Sequence, residues 1–340
     1  MERKCFEFVR DILRQAVSDG VFPSAVCAIG VKEENLLMCA EGDATLSTLY
    51  DIASLTKIMS TTMIALRAVD EGKLALINSI CRFFDAPEDK AAITIQDLLT
   101  HTGGFESFFL LEEEAESPED AVSCILRHPL AATPDGTPRY SCIGFILLGK
   151  ILEKLYREPL NVIAEKTVFQ PLGMLHTGYL PLKGDFAPTE VDPTTGVAWR
   201  GVVHDENARF LRGVSGNAGV FSTIQDCSRY AAMLAAGGHG ILSSEIFQKA
   251  IQNYTKGYES HRGLGFHLAG TEGNFLSDMP ENSFGHTGFT GTSIAVEPAG
   301  GLTVVLLTNR VHLSRDNLKI LRFRRYLHTI VYYHFQKEYE

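Results

Sequence analysis

In the stretch YDIASLTKIMSTTMIAL, residues 50 to 66, a serine and a lysine stand three apart in an otherwise apolar run, and this is the only S-x-x-K in the chain. On a helix, positions i and i+3 share a face, so Ser54 and Lys57 would point the same way. A serine hydroxyl is a poor nucleophile until a neighbouring base takes its proton. A lysine becomes that base once burial or a nearby cation lowers its pKa from about 10.4. If Lys57 stays charged, its field instead lowers the pKa of a nearby phenol, which then serves as the base. A helix starting near Ser54 would add backbone N–H groups and a dipole that favour developing negative charge. The competing reading is a lysine that snorkels out of an apolar helix.

Two further stretches carry candidate chemistry. In TPRYSCIGF, Tyr140 and Ser141 precede an apolar run; taken alone, they read as a packed aromatic and a helix cap. In FGHTGFTGTSIAVEP, glycines 285, 288 and 291 surround His286 at the mouth of an expected strand. Such glycines let a backbone pass close to something. A strand edge there could bind an extended substrate and offer an N–H to an oxyanion. The tripeptide His-Thr-Gly also occurs at 101–103, so by itself it decides nothing.

In this order, Ser54-Leu55-Thr56-Lys57, Tyr140-Ser141-Cys142 and His286-Thr287-Gly288 resemble the marks of the penicillin-recognising serine hydrolases, the superfamily of serine beta-lactamases and D,D-peptidases. Those marks are S-x-x-K, then Y-x-N or S-x-N, then K-T-G or H-T-G. The likeness is closest to the class C-type branch, which includes esterases and peptidases, and LLTHTGG, PLGM and GNAGVFST add to it. The resemblance implies Ser54 as the nucleophile of an acyl-enzyme, with Lys57 and Tyr140 sharing the proton work. His286 would hold and polarise substrate, and the backbone N–H groups of Ser54 and Phe289 would form the oxyanion hole. Cys142, Thr287 and Gly288 would line the substrate. The fold implied is α+β: an antiparallel sheet flanked by helices, beside an all-helical domain, with the site in the cleft. One position departs from the pattern, since Cys142 stands where the family has the asparagine that contacts an acylamide side chain and helps orient the lysine. A thiol is a weak donor and a weak acceptor, so efficient beta-lactam turnover is not expected. Cys142 could itself be a nucleophile only beside a cation, and Lys57 is the one candidate.

VVHDENARFL, residues 202 to 211, gathers His204, Asp205, Glu206 and Asn207 in a region that reads as loop. No metal-ligand spacing such as H-E-x-x-H is present. The segment resembles one in relatives that act on cell-wall fragments, including muramoyl-peptide amidases, which makes His204, Asp205 and Asn207 candidate substrate contacts beside the alternative of a solvated polar loop. GFILLGKI matches G-x-x-x-x-G-K but ends in Ile151 where a phosphate-binding loop needs Ser or Thr, and it lies in a helical pattern.

The bulk of the chain agrees with an enzyme of this size. Its 340 residues, 45% hydrophobic and 21% charged, can bury a large core. A net charge of -10 argues against nucleic acid as a partner. No run approaches the ~18 to 20 apolar residues of a membrane span, so no membrane is expected either. The seven cysteines are spread without a C-x-x-C. That is the pattern of reduced thiols, and with no signal-like N-terminus it makes a cytoplasmic protein the expectation.

The pattern predicts a first helix stopped by Gly20, a hairpin over 23–44, and a helix from Ser54 to about Asp70. Helices should fill about 110 to 165, followed by a long Pro- and Gly-rich connection. A helix capped by Thr223 and Asp226, strands at 263–269, 291–298 and 302–309, and a helix over about 314–337 close the chain. This order predicts a sheet domain from residues 1–60 and 205–340 around an all-helical insertion, 61–204. The expected activity is hydrolysis of a small amide or ester, without cofactor or metal, with peptidoglycan-derived peptides as the preferred substrate class. The alternatives are a class C-type esterase, a weak beta-lactamase or a non-catalytic receptor for cell-wall peptides. The sequence leaves the oligomeric state open.

Overall fold

Ser24–Val31 is apolar on both faces, and in the computed structural model, which describes residues 6–180 and 182–339, it forms a central strand, β1. Alternate residues point to opposite faces of a strand. Ala25, Cys27 and Ile29 pack with Leu302, Val304 and Leu306 beneath the helices Phe8–Ser18 and Lys319–Tyr339. Val26 and Ala28 join Val305 and Leu307 in the larger core on the other face. Cys5 lies outside the described residues.

The other strands are β2 (Glu34–Gly42), β3 (Tyr50–Asp51), β4 (Gly178–Tyr179), β5 (Val220–Ser222), β6 (His267–Leu268), β7 (Phe284–Thr287), β8 (Ser293–Glu297) and β9 (Leu302–Thr308). Six form an antiparallel sheet in the order β2-β1-β9-β8-β7-β6, built from both ends of the chain. β3, β5 and β4 form a small second sheet. The fold is thus mixed α and β, an antiparallel sheet flanked by helices. Helices Ile95–Thr100, Ala121–Arg127 and Cys142–Tyr156 lie between the two sequence portions of the large sheet. One apolar cluster runs from Val26 through Ile146 and Leu152 to Leu307, so the sheet and the intervening helices share a core.

Several elements differ from the sequence expectation. Helix does not fill 110–165: residues 128–141 carry none, because Pro129, Pro134 and Pro138 lack the N–H a helix needs. After Ser54, residues Lys57–Thr62 turn as a wide π-helix before the α-helix Met63–Asp70. Tyr230 donates to the carbonyl of Ile58 at 2.6 Å and Gly216 accepts from Thr61 at 2.7 Å, ties that the sequence spacing does not reveal. The strand expected over 263–269 shrinks to His267–Leu268, since Gly265 takes a φ of +83°. Thr223 caps its helix, but the Asp226 carboxylate is spent on His176 N–H and Thr177, so only half of the capping pair forms. The last helix begins at Lys319.

Among the described residues no helix is long and apolar enough to cross a membrane, and no cluster of three or more His, Cys, Asp or Glu could hold a metal ion.

Candidate active site

The turn that presents Ser54 is held from below by Asp51. This buried carboxylate accepts from Ala53 N–H at 2.8 Å and from His204 N–H at 2.7 Å. Burial raises its pKa, opposed by those two backbone donors. Ala53 sits at φ +47°, a left-handed conformation that a non-glycine residue adopts only under constraint. Ser54, half-buried, follows it at the entrance of the next helix.

Ser54 Oγ accepts from Lys57 Nζ and from Tyr140 Oη, each at 2.9 Å. Lys57 is fully buried, which removes the snorkelling alternative. Its ammonium also donates to the Asn217 carbonyl at 3.0 Å and to Cys142 Sγ at 3.4 Å, so three N–H bonds meet three acceptors. Burial pulls the Lys57 pKa down, but the nearby Cys142 and Tyr140, each able to become an anion, outweigh it and hold the pKa up. For Tyr140, burial raises the pKa and wins over the lowering by Lys57. The resting pair is therefore an ammonium and a neutral phenol.

Further cations and rings surround Tyr140. The Lys57 ammonium lies 5.0 Å and the buried Arg262 guanidinium 5.7 Å from its ring centroid. The His101 ring lies tilted against it at 4.6 Å and the His286 ring, also tilted, at 6.0 Å. His286 Nδ1–H donates to the Thr287 carbonyl at 2.8 Å, and burial pushes its pKa well below the ordinary value, so it reaches the site as a neutral ring. His286 Nε2, His101 Nε2 and Asn217 Nδ2 are buried without a hydrogen-bond partner among the described residues.

The segment after β7 docks directly on the Ser54 turn. Thr290 Oγ1 donates to the Asp51 carbonyl at 2.8 Å and Thr292 Oγ1 to the Ile52 carbonyl at 3.0 Å. A Cβ on Gly288 would fall 2.1 Å from Thr292 Oγ1 and 2.5 Å from the Ile52 oxygen, so only glycine allows this approach. Among the described residues neither Ser54 N–H nor Phe289 N–H has an acceptor, although their neighbours Ala53, Leu55, Gly288 and Gly291 all do. Phe289 is about half exposed, beside half-buried Thr287, and its ring lies 4.5 Å from the Arg310 guanidinium and 5.5 Å from His204.

The H-D-E-N side chains are largely engaged inside the fold. Asn207 is buried, and its amide accepts from Leu111 N–H and donates to the Phe109 carbonyl, each end already used. Buried His204 is paired through Nε2 with Glu190 at 2.9 Å and acts by stacking on Phe289. Asp205 caps the short helix Glu206–Phe210 through Ala208 N–H. The charge on Asp205 nevertheless reaches Lys57 and helps hold its pKa up. These bonds tie the segment to Leu111, Phe109 and Glu190, partners that its sequence pattern does not indicate. Sequence reasoning also missed Asp51, Arg262, Thr290 and Thr292, which have no spacing signature, and the Asn217 carbonyl, whose only signal was its place in GNAGVFST.

Comparison with known proteins identifies the family and the fold. The beta-lactamase family model matches residues 9–328. A protein of Escherichia coli (strain K12) named "Putative D-alanyl-D-alanine carboxypeptidase" is 32% identical over 321 residues, covering 82% of this chain and 73% of its own. Two solved structures share the fold at a TM-score of 0.77. The octameric penicillin-binding protein homologue from Pyrococcus abyssi is 21% identical, over 97% of this chain and 77% of its own. EstCE1, a hydrolase with promiscuous acyltransferase activity, is 22% identical over 95% and 99%.

Gly288→Ala should push the Phe289 segment off the Ser54 turn and slow acylation by a p-nitrophenyl ester by roughly a hundredfold or more, with an unchanged far-UV circular dichroism spectrum. Acid should destabilise the fold earlier than carboxylate titration alone. Burial pushes His101, His267 and His286 well below their ordinary pKa, and burial followed by the charge of Arg324 brings His328 to about 3. These rings bind protons only after unfolding, so their stabilisation is complete above about pH 6.5 and is lost below it, at about 1.4 kcal/mol per pH unit for each. Urea midpoints at pH 7.5, 6.5 and 5.5 measure this.

Proposed function

The chain belongs to the beta-lactamase family and is a serine hydrolase of that kind, and we propose that it cleaves peptidoglycan-derived peptides ending in D-alanyl-D-alanine through an acyl-enzyme on Ser54. The observation that carries this reading is the Ser54 hydroxyl held between two proton carriers, Lys57 and Tyr140, beside two unpartnered backbone N–H groups. Ser54 Oγ attacks the substrate carbonyl carbon, and its proton passes to whichever member of the Lys57 and Tyr140 pair has given up its own proton, as a neutral amine or a phenolate. The N–H groups of Ser54 and Phe289 receive the oxyanion. Collapse of the tetrahedral adduct expels the amine, which takes the proton from the pair. Water then enters by the reverse sequence and frees Ser54. Thr287, at the accessible end of β7, faces the substrate, and neutral His286 packs behind it beside Tyr140. The similarity to the Escherichia coli protein supports the D-alanyl-D-alanine class.

One observation favours a second reading within the same chemistry. Cys142 Sγ satisfies Lys57 but has no amide to offer an acylamide side chain. Small esters, which need no such contact, are the substrates of that reading, and beta-lactams would acylate Ser54 and leave slowly. A receptor without catalysis would have no use for a hydroxyl held between two proton carriers. The six described cysteines are free thiols, and Cys27 faces Cys39 across β1 and β2, which supports a reducing, cytoplasmic setting.

Intact-mass spectrometry after incubation with a fluorophosphonate should add one adduct to the wild type and none to Ser54→Ala; an equal adduct on both would overturn the role of Ser54. Release of D-alanine from a diacetyl-Lys-D-Ala-D-Ala peptide, compared with hydrolysis of p-nitrophenyl acetate, separates the peptidase from the esterase reading. Because Lys57 and Tyr140 both hold their protons at rest, the base form is scarce at neutral pH. Log(kcat/KM) should climb with a slope near one across neutral pH, on a limb that belongs to the pair. Tyr140→Phe should lower the rate and shift that limb, which a pH-rate profile tests.

A further inference from the structure

The last helix places a further buried cation, besides Lys57 and Arg262, behind the β7–β8 turn. Arg324 lies on the last helix, Lys319–Tyr339, on the same stripe as the buried Ile320, Leu327 and Val331. It is 5% exposed and points under the turn between β7 and β8. Its guanidinium donates to the Thr292 carbonyl at 3.0 Å and reaches the Gly288 carbonyl at 3.4 Å. No carboxylate pairs with it among the described residues. Carbonyl oxygens compensate a buried cation only in part, so this charge is costly to fold around and lacks a counterion at rest.

The Gly288 carbonyl belongs to the same peptide unit as the Phe289 N–H. In a trans peptide the oxygen and the N–H point in opposite directions, so a cation at the oxygen draws electron density away from the nitrogen. The N–H on the far side becomes the stronger donor. Thr292 O also accepts from Gly288 N–H at 2.7 Å, and Gly288 O from Gly291 N–H at 3.1 Å, so Arg324 completes the hydrogen bonding of the turn that aims Phe289 at Ser54.

We infer that Arg324 is a positioning residue of the oxyanion hole: its buried guanidinium, on the Gly288 side of the Gly288–Phe289 peptide, polarises the Phe289 N–H and supplies the countercharge for the oxyanion formed on the substrate carbonyl. This rests on the proposal that Ser54 and Phe289 receive that oxyanion. The uncompensated charge finds its partner only in the tetrahedral state, so Arg324 acts on the transition state more than on bound substrate. Its neighbour Arg310 has a different task, donating to the Phe289 carbonyl at 2.8 Å and to the carbonyls of Arg315 and Asn317, which fixes where the loop continues.

The test compares wild type, Ser54→Ala, Arg324→Lys and Arg324→Met in the p-nitrophenyl acetate burst and in inhibition by phenylboronic acid, which becomes a tetrahedral anion on the serine. Arg324→Met should slow acylation about ten- to hundredfold and weaken the boronate by a similar factor, with the substrate dissociation constant, read from the concentration dependence of the burst rate, near the wild-type value. Arg324→Lys, which keeps the charge, should recover most of both losses. If Arg324→Met acylates and binds boronate within twofold of wild type, the inference is wrong. Equal losses in the Lys and Met variants, with both folded by circular dichroism, also overturn it, because geometry alone would then explain the effect. Should Arg324→Met fail to fold, the Lys variant decides: near-wild-type burst and boronate affinity support the role of charge, and a tenfold loss in both refutes it. Absence of both a Ser54-dependent burst and a Ser54-dependent fluorophosphonate adduct in the wild type marks failure of the acyl-enzyme reading and overturns this inference with it.

Discussion

A fully buried ammonium must find an acceptor for each of its three hydrogens, and the acceptors of Lys57 come from three distant parts of the chain. Ser54 lies one turn away, Cys142 opens the helix Cys142–Tyr156, and Asn217 precedes β5. Leaving any of the three unmade would strand a buried charge. The positions of the helical layer and of the small sheet are therefore tied to one atom. The wide π-turn over Lys57–Thr62, held by Tyr230 and Gly216, is part of how the helix accommodates this convergence.

The second constraint is the seam between the Ser54 turn and the segment after β7. Two threonine hydroxyls, a glycine without room for a side chain and the left-handed Ala53 all serve the same juxtaposition. Two peptide N–H groups are left unpaired where the strands and turns meet, and strain of this sort is stored where surrounding structure over-determines it. The cost is offset by the large shared core and by the sheet beneath it.

Around this seam, cations outnumber anions. Lys57 and the buried arginines 262 and 324 lie close to the reacting centre, with neutral histidines between them and Asp51 turned away into backbone bonds. Carboxylates nearby are engaged in holding loops, as with Glu190 on His204. A site of this composition favours negative charge developing on substrate, in keeping with acyl transfer. The thiol of Cys142 fits the same logic, filling the acceptor position for Lys57 without the second, outward-facing function that an amide would carry.

The three motifs that the fold brings together at the candidate site were legible in the sequence because covalent chemistry requires particular functional groups: Ser54, Lys57, Tyr140 and His286 stand in a fixed order whatever the surrounding residues do. The central hairpin and the β8–β9 hairpin were legible as well, since their apolar alternation and turn residues are local signals. Where prolines 129, 134 and 138 interrupt the helical pattern, local rules were available and were outweighed by apolar periodicity. The H-D-E-N segment shows the opposite limit: its polar residues read as substrate contacts, but whether Asn207 faces a cleft or Leu111 depends on what packs beside it. The charge states of Lys57 and His286 belong to tertiary structure for the same reason, because desolvation and Coulomb fields are sums over neighbours brought together only by folding. Sequence alone determined which groups can react; the fold decided which of them are buried, which hydrogens are already spent, and that Arg324, one charged residue on an apolar helix stripe, ends up behind the Phe289 N–H.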